Sequence, residues 1–300
     1  MRMVQRKRPS LERRDRRIGI WFLVPTFVVL LVIVAYPTFY TMLMSLFRWR
    51  PTELATPFVG LKNFAAVFSD ERFLVSLGNT FVYAFVGAFF KVVIGLALAM
   101  LLNQNFKGRG LARTLLMLPW IVPVTASITS WRWMFDGMYG VINVLMLRLG
   151  WITEPINFLG TKGVAMISVL VVGIWMGYPQ MMMMLLAGLQ AITREQYEAA
   201  TVEGATSMQT FFKITLPALS GVMRMAIILS LIWTFNAFNV VWLLTRGGPS
   251  SSTHIMNTLA YEFSFINMRY DRGAAMSVII LAILAVLLYL HTRLTRREEV

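Results

Sequence analysis

From Ile18 to Phe47 the chain runs thirty residues without one charged side chain, interrupted only by the prolines at 25 and 37. A helix rises about 1.5 Å per residue, so roughly 20 apolar residues cross the hydrocarbon core of a bilayer. The run is too long for a signal-peptide core and reads as a retained membrane helix. Five more apolar runs of sufficient length lie near 78–102, 111–135, 164–190, 219–244 and 274–292. The predicted fold is an all-α polytopic membrane protein with six transmembrane helices. They lie within residues 18–296 and follow a basic tail at 1–17.

Composition agrees. Charged residues make up 14% of the chain and hydrophobic residues 57%, whereas about a quarter of a soluble domain is charged. The net charge of +14 does not point to nucleic acid, because the basic residues form no single face. Eight of the 28 lysines and arginines fall in the first 17 residues, and most others sit in short links between apolar runs. There is no cysteine, so disulfides, thiolate nucleophiles and cysteine metal sites are excluded. His254 and His291 are isolated and fit no metal-ligand spacing.

Orientation follows from the basic residues of the links. With the N-terminus in the cytoplasm, 17 lysines and arginines lie inside and 10 outside. Without the tail the balance is 9 against 10, so the tail sets the orientation. Both termini are then cytoplasmic, and anionic lipid is the tail's second expected contact. The link between the fourth and fifth runs also faces the cytoplasm.

That link holds an unusually polar stretch, "EQYEAATVEGATSMQTFFKITLP", residues 195–217. Thr193 with Gln196, and Thr206 with Gln209, each have the spacing of a capping box that closes a helix N-terminus. Gly204 stands between them, where a first helix would end in a left-handed residue. Pro217 marks the junction with the next apolar run. Met208, Phe211, Phe212 and Thr215 fall on one helical face, predicted to lie on the ends of the membrane helices. Glu195, Glu198 and Glu203 accompany the small Ala199 and Ala200, and their carboxylates suit pairing with a partner's basic side chains. A solvated amphipathic loop is the ordinary reading of such a segment. Catalysis has little support, since no histidine, serine or paired acid accompanies the glutamates.

The spacing goes further. Glu198-Ala199-Ala200, three residues, Gly204, nine residues, Ile214, one residue and Leu216-Pro217 resembles the EAA loop of ABC importer permeases. The rest of the chain from about residue 18 is similar to the carbohydrate branch of that family. The matching stretches are "FVGLKNF" at 58–64, "NTFVYA" at 79–84, "LALAMLLNQ" at 96–104, "WRWMFDGMYGVIN" at 131–143, "LLTRGGPSSST" at 243–253 and "YDRGAAMS" at 270–277, with Arg113 and Pro119. "GLKNF" with "LTRGGP" resembles the MalF type of subunit rather than the MalG type. The large periplasmic insertion of the MalF type specimen is absent, and "ALSGVM" follows Leu216-Pro217 without the further proline of many relatives.

The resemblance implies a type I importer permease fold of the MetI-like kind, with residues 193–217 as the cytoplasmic coupling-helix loop seated on an ATPase subunit. The implied contact residues are Glu195, Tyr197, Glu198, Ala199, Ala200, Glu203, Gly204, Ile214, Leu216 and Pro217. The implied partners are a second, MalG-like permease subunit, two ATPase subunits and an extracytoplasmic solute-binding protein, in a bacterial or archaeal cytoplasmic membrane. The chain has no phosphate loop of the G-x-x-x-x-G-K-[ST] kind. It is therefore expected to bind no cofactor and to be no enzyme, with ATP and Mg held by the partner ATPases.

Polar residues inside the apolar runs suggest a solute path. "GYPQ" at 177–180 interrupts the fourth run, where Pro179 removes a helix hydrogen bond. In the fifth run Ser230, Trp233, Thr234 and Ala237 share one helical face, beside Asn236 and Asn239. Hydroxyls and an aromatic plane suit a sugar, and the resemblance implies that these segments border the central cavity. The expected path residues are Gly177, Gln180, Ser230, Trp233, Thr234, Asn236 and Ala237. Packing is the competing reading for the asparagines. Lys91, centred in the second run, is expected to support the bundle. It carries an insertion cost of about 2.5–3.5 kcal/mol.

The expected function is that of a permease moving a sugar or sugar-like solute (oligosaccharide, polyol or glycerol phosphate type) into the cytoplasm by ATP-driven alternating access. The alternative, an ion-coupled secondary transporter, predicts acidic residues within the spans. None of the six runs has one well inside.

Overall fold

The computed structural model describes residues 9–51, 53 and 55–296. Residues 1–8 of the basic tail lie outside the described residues, as do the side chains of its remainder. No strand forms among the described residues beyond one isolated bridge between Phe47 and Phe58.

The first apolar run is α1 (Pro9–Leu30), a π-helical turn at Leu31–Ala35, and α2 (Tyr36–Met44). Every residue from Ile18 to Tyr40 is exposed in the isolated chain, so this helix offers its whole apolar surface to lipid or to another subunit. A short α3 (Lys62–Phe68) precedes α4 (Glu71–Asn103), which Asp70 caps by accepting the Arg72 N–H. The bundle core is α4, α8 (Val164–Ala191) and α12 (Ser220–Phe235), with α4 against α8 as its most extensive contact.

That contact depends on small residues, because lipid gives helices no hydrophobic reason to associate and close packing must hold them. A Cβ at Gly95 would stand 2.8 Å from Met181 Cβ and 2.9 Å from the Met182 nitrogen. Gly173 of α8 likewise makes room for the Tyr83 hydroxyl, and Gly177 for the Lys91 stem. These pairs ascend together in sequence, so α4 and α8 run parallel. The methionine run is split by this packing. Met181 and Met182 are fully buried, while Met183 and Met184 are half-buried. Pro179 leaves α8 unbroken, and Tyr178 donates its hydroxyl to Leu116 O of α5 at 3.2 Å.

Two of the predicted spans are not straight. The third divides into α5 (Arg109–Ile121) and α6 (Val124–Met134), bent by 92°. Pro123 drives Val122 into an extended conformation (ψ 136°), which ends the helix. The fifth run is also divided. α12 stops at Phe235, Asn236 occupies its C-cap, and the chain resumes as α13 (Asn239–Thr245). At its other end α12 meets the segment Ser207–Ala218 at 68°. Among the described residues four helices are long and apolar enough to cross a membrane, and the number rises to six if each of two bent pairs is one span. The link after the third run carries α7 (Val141–Arg148), and α14 (Met256–Tyr261) precedes the last apolar run, α15 (Tyr270–Arg296).

The matching motifs outside the membrane tie loops together. Asn63 of "GLKNF" donates to Ser45 O (2.8 Å) and Phe47 O (2.9 Å), fixing the end of α2. Asn79 donates to Ser252 O and His254 O, and Thr80 accepts from Met256 N at 2.9 Å. "NT" in α4 thus pins the "RGGPSSST" loop. Asn143 is buried and bonds Asp136 O, Gly137 O and both backbone groups of Ile156. The Asp136 carboxyl lies below the usual carboxylate range because it accepts the Tyr139 and Met138 N–H groups.

Candidate functional site

The polar stretch at 193–217 folds as two short helices around a turn. α9 (Arg194–Val202) ends in a left-handed Gly204 with φ 75°. The Gly204 N–H reaches Thr201 O (3.1 Å) and the Ala205 N–H reaches Ala200 O (2.9 Å), the paired bonds of a Schellman turn. α10 (Ser207–Thr210) opens with a complete capping box. Thr206 N donates to Gln209 Oε1 (2.8 Å), and Gln209 N to Thr206 Oγ1 (3.3 Å). The other predicted box does not form. Thr193 occupies the N-cap of α9, but its side chain makes no cap bond, and only its backbone carbonyl accepts the Gln196 N–H.

The predicted apolar face is also altered. A π-helical turn at Phe211–Thr215 follows α10 and leads into α11 (Leu216–Ala218). The wider turn shifts the register, so the i, i+3, i+4, i+7 set no longer shares one face. Thr215 turns inward at 5% exposure, while Met208 (67%) and Phe212 (56%) stay open instead of lying on the membrane helices. Tyr197 and Thr215 hydroxyls meet at 3.2 Å and clamp α9 to this turn.

The two helices enclose a groove of about 650 Å³. Ala199, Ala200, Glu203, Gly204 and Ile214 line it, with Lys213 at its rim. Of the motif residues, Glu195, Tyr197, Glu198, Leu216 and Pro217 lie outside its lining. Glu195 and Glu198 are exposed, and neither has an ion-pair partner among the described residues.

The intramembrane polar residues separate into two sets. Lys91 Nζ donates to Thr234 Oγ1 at 2.8 Å, and Thr234 Oγ1 donates to Ser230 O at 2.6 Å. The Lys91 stem crosses Gly177, whose added Cβ would stand 2.7 Å from Lys91 Cε. Gly177, Ser230 and Thr234 are thus brought together through a lysine of a third helix, which the sequence reading left in a supporting role. Its signal was the cost of a charge at mid-span. Trp233 points elsewhere, 44% exposed, and Asn236 donates to Ile232 O of its own helix. Ala237 packs on the outer part of the core, and Gln180 is half-buried.

A third polar cluster lies outside the spans. Arg72 pairs with Asp70 and with Glu262, and Glu262 Oε2 lies 2.9 Å from His254 Nε2. Burial pushes the His254 imidazole below its ordinary range against the opposing pull of Glu262, so the ring is neutral at pH 7. It donates to Glu262 in that state. Asp70 is held below the usual carboxylate range by Arg72.

A helical bundle with polar groups between its core helices and a structured loop at one face is an architecture that membrane permeases use. Residues 91–299 match the family described as binding-protein-dependent transport system inner membrane component, and the chain belongs to that family. It is similar to the trehalose/maltose transport system permease protein MalF of Thermococcus litoralis, 35% identical over 96% of this chain and 98% of the relative. It is also similar to the sulfoquinovosyl glycerol transport system permease protein SmoG of Agrobacterium fabrum, 31% identical over 96% and 94%. Its fold matches a chain of a bacterial ABC transporter that imports the acidic polysaccharide alginate, with a TM-score of 0.84 at 21% identity over 96% and 99% of the two chains. The chain is thus a multi-pass inner-membrane permease subunit with the type I importer fold, not an enzyme.

Proposed function

We propose that this permease imports a sugar or sugar-derived solute, driven by ATP that partner subunits bind with Mg and hydrolyse. The named relatives carry sugars or sugar glycosides, and an ion-coupled carrier is not favoured. A second, MalG-like permease completes the pathway and an extracytoplasmic binding protein delivers the solute. The N-terminal tail and the C-terminus lie in the cytoplasm, with the tail against anionic lipid.

The observation that carries the coupling role is the groove between α9 and the turn after α10. A Schellman turn, a capping box and the Tyr197–Thr215 contact hold its motif residues in one concave surface. Its lining mixes Ala199, Ala200 and Ile214 with Gln196, Glu203, Gln209 and Lys213. On the same short helices Glu195 and Glu198 are exposed with no ion-pair partner among the described residues, and Met208 and Phe212 are open. Such a mixed surface with exposed apolar and charged groups suits docking. ATP-driven closure of the ATPases would move this loop and rock the α4–α8–α12 bundle between two access states. The solute would pass beside Gly177, Gln180, Ser230, Trp233, Thr234, Asn236 and Ala237.

The test is co-purification of the ATPase with the permease, alongside solute uptake in proteoliposomes. Gly204→Arg and Glu198→Ala are expected to weaken ATPase association and to lower uptake, with the permease still correctly folded in the membrane. Unchanged association and uptake in both variants would refute the docking role.

A further inference from the structure

We infer that Lys91 recognises the solute, and that this solute carries an anionic group on a sugar frame: a carboxylate, sulfonate or phosphate. The inference rests on the sugar-permease reading and narrows its substrate class.

Lys91 sits near the middle of α4 and is 9% exposed. Around it stand α8 and α12, neither of which contains an acidic residue. In α4 the acidic residue is Glu71, about 30 Å along the helix at 1.5 Å per residue. Thr234, a neutral hydroxyl, is the acceptor for its amine among the described residues. The charge therefore has no acidic partner among the described residues.

Bundle support does not account for that charge. Tying α4 to Thr234 needs one hydrogen bond, which a glutamine or serine supplies without the insertion cost of a central lysine. An ammonium has three donors, and two of the three have no acceptor among the described residues. One helical turn before Thr234, the Ser230 hydroxyl is 1% exposed and has no hydrogen-bond partner among the described residues. Two spare cationic donors on α4 and a spare hydroxyl one turn from their acceptor thus face the same helix pair. Gly177 leaves the lysine stem room to lie between them, since a Cβ there would press on both Cδ and Cε. An anionic substituent on a sugar would meet the ammonium where low dielectric strengthens a charge pair most.

The experiment uses the assembled importer with its binding protein in proteoliposomes. The panel contains a uronate oligosaccharide, a sugar phosphate, a sulfonated sugar, a neutral disaccharide and a polyol. Binding-protein-stimulated ATPase activity and uptake are both measured for the wild type, Lys91→Met and Lys91→Arg. Methionine keeps an unbranched apolar stem over Gly177, and arginine keeps the charge. The expected result is uptake of an anionic sugar by the wild type. Lys91→Met should lower that uptake at least about 30-fold, the scale of losing one partner of a buried charge pair. Lys91→Arg should retain most of it, and the ATPase should still respond to the loaded binding protein in both variants. Two results overturn the inference: wild-type uptake of a neutral solute in preference to every anionic one, or undiminished anionic uptake by Lys91→Met. The wild-type panel decides even where a variant fails to assemble. An assembled wild-type complex whose ATPase responds to no sugar in the panel would count against the sugar-import reading itself.

Discussion

The close approach of α4 and α8 makes a sharp test, because the same substitution should act with opposite sign at two places on one helix. In the interior of α4, glycine to alanine ordinarily favours the helix by ~0.5–1 kcal/mol. At Gly78 nothing lies within 4 Å of the added methyl carbon, so Gly78→Ala should stabilise by about that amount. At Gly95 the carbon would stand 2.8 Å from Met181 Cβ, 2.9 Å from Met182 N and 3.1 Å from Met181 C. Carbon pairs are most comfortable at about 3.5–4.0 Å. Two of the three atoms are α8 backbone, so no rotamer change relieves them and the helices must part by roughly 1 Å. Overpacking of this kind costs ~1–3 kcal/mol. Parting also loosens the buried contacts of Val92, Ala99, Leu102 and Leu185 along the same seam. The expected outcome is a net loss of ~1–3 kcal/mol for Gly95→Ala and a small gain for Gly78→Ala, read by equilibrium unfolding in mixed micelles. Because Lys91 lies one turn from Gly95, uptake should fall in the first variant alone. A gain in stability at both positions would refute the account of the α4–α8 seam.

Three other outcomes follow from particular contacts. Thr206→Ala should cost about 1 kcal/mol of local stability and speed hydrogen exchange at the start of α10, while Thr193→Ala should do much less, since its side chain makes no cap bond; equal effects would contradict the observed capping. Asn63→Ala leaves the Ser45 and Phe47 carbonyls without their donor, so ~1–3 kcal/mol should be lost and limited proteolysis should quicken between residues 45 and 63. His254 is neutral when folded and its pKa lies below the ordinary 6.5. The unfolded chain therefore takes up the proton first, and stability present above about pH 6.5 should decline as the pH falls below it. His254→Gln should flatten that part of the melting profile between pH 7.5 and 5.5, and an unchanged slope would show that His254 is not the titrating group.

By itself the sequence determined the membrane class, because bilayer thickness and the cost of buried charge act on composition and run length alone, and its motifs carried the resemblance to the family. It also determined the turn at Gly204 and the cap at Thr206, which depend on local backbone chemistry. Other features were decided by tertiary structure. Thr193 has the same T-x-x-Q spacing as Thr206 and still does not cap, since spacing permits the bond without fixing the rotamer. Pro179 left α8 continuous, while Pro123 broke its helix, and a sequence pattern does not separate the two. The i, i+3, i+4, i+7 rule put Met208, Phe211, Phe212 and Thr215 on one face, but a π-helical turn inserted between them changed the register. Trp233 was grouped with Ser230 and Thr234 on the same rule, and packing of α12 against α4 buried those two and left the ring open. Lys91 is the fullest case. Its cost was legible in one dimension, but its acceptor lies 143 residues away on α12 and the space for its stem is a glycine on α8. Only the packing of three helices brings those residues within reach of one another.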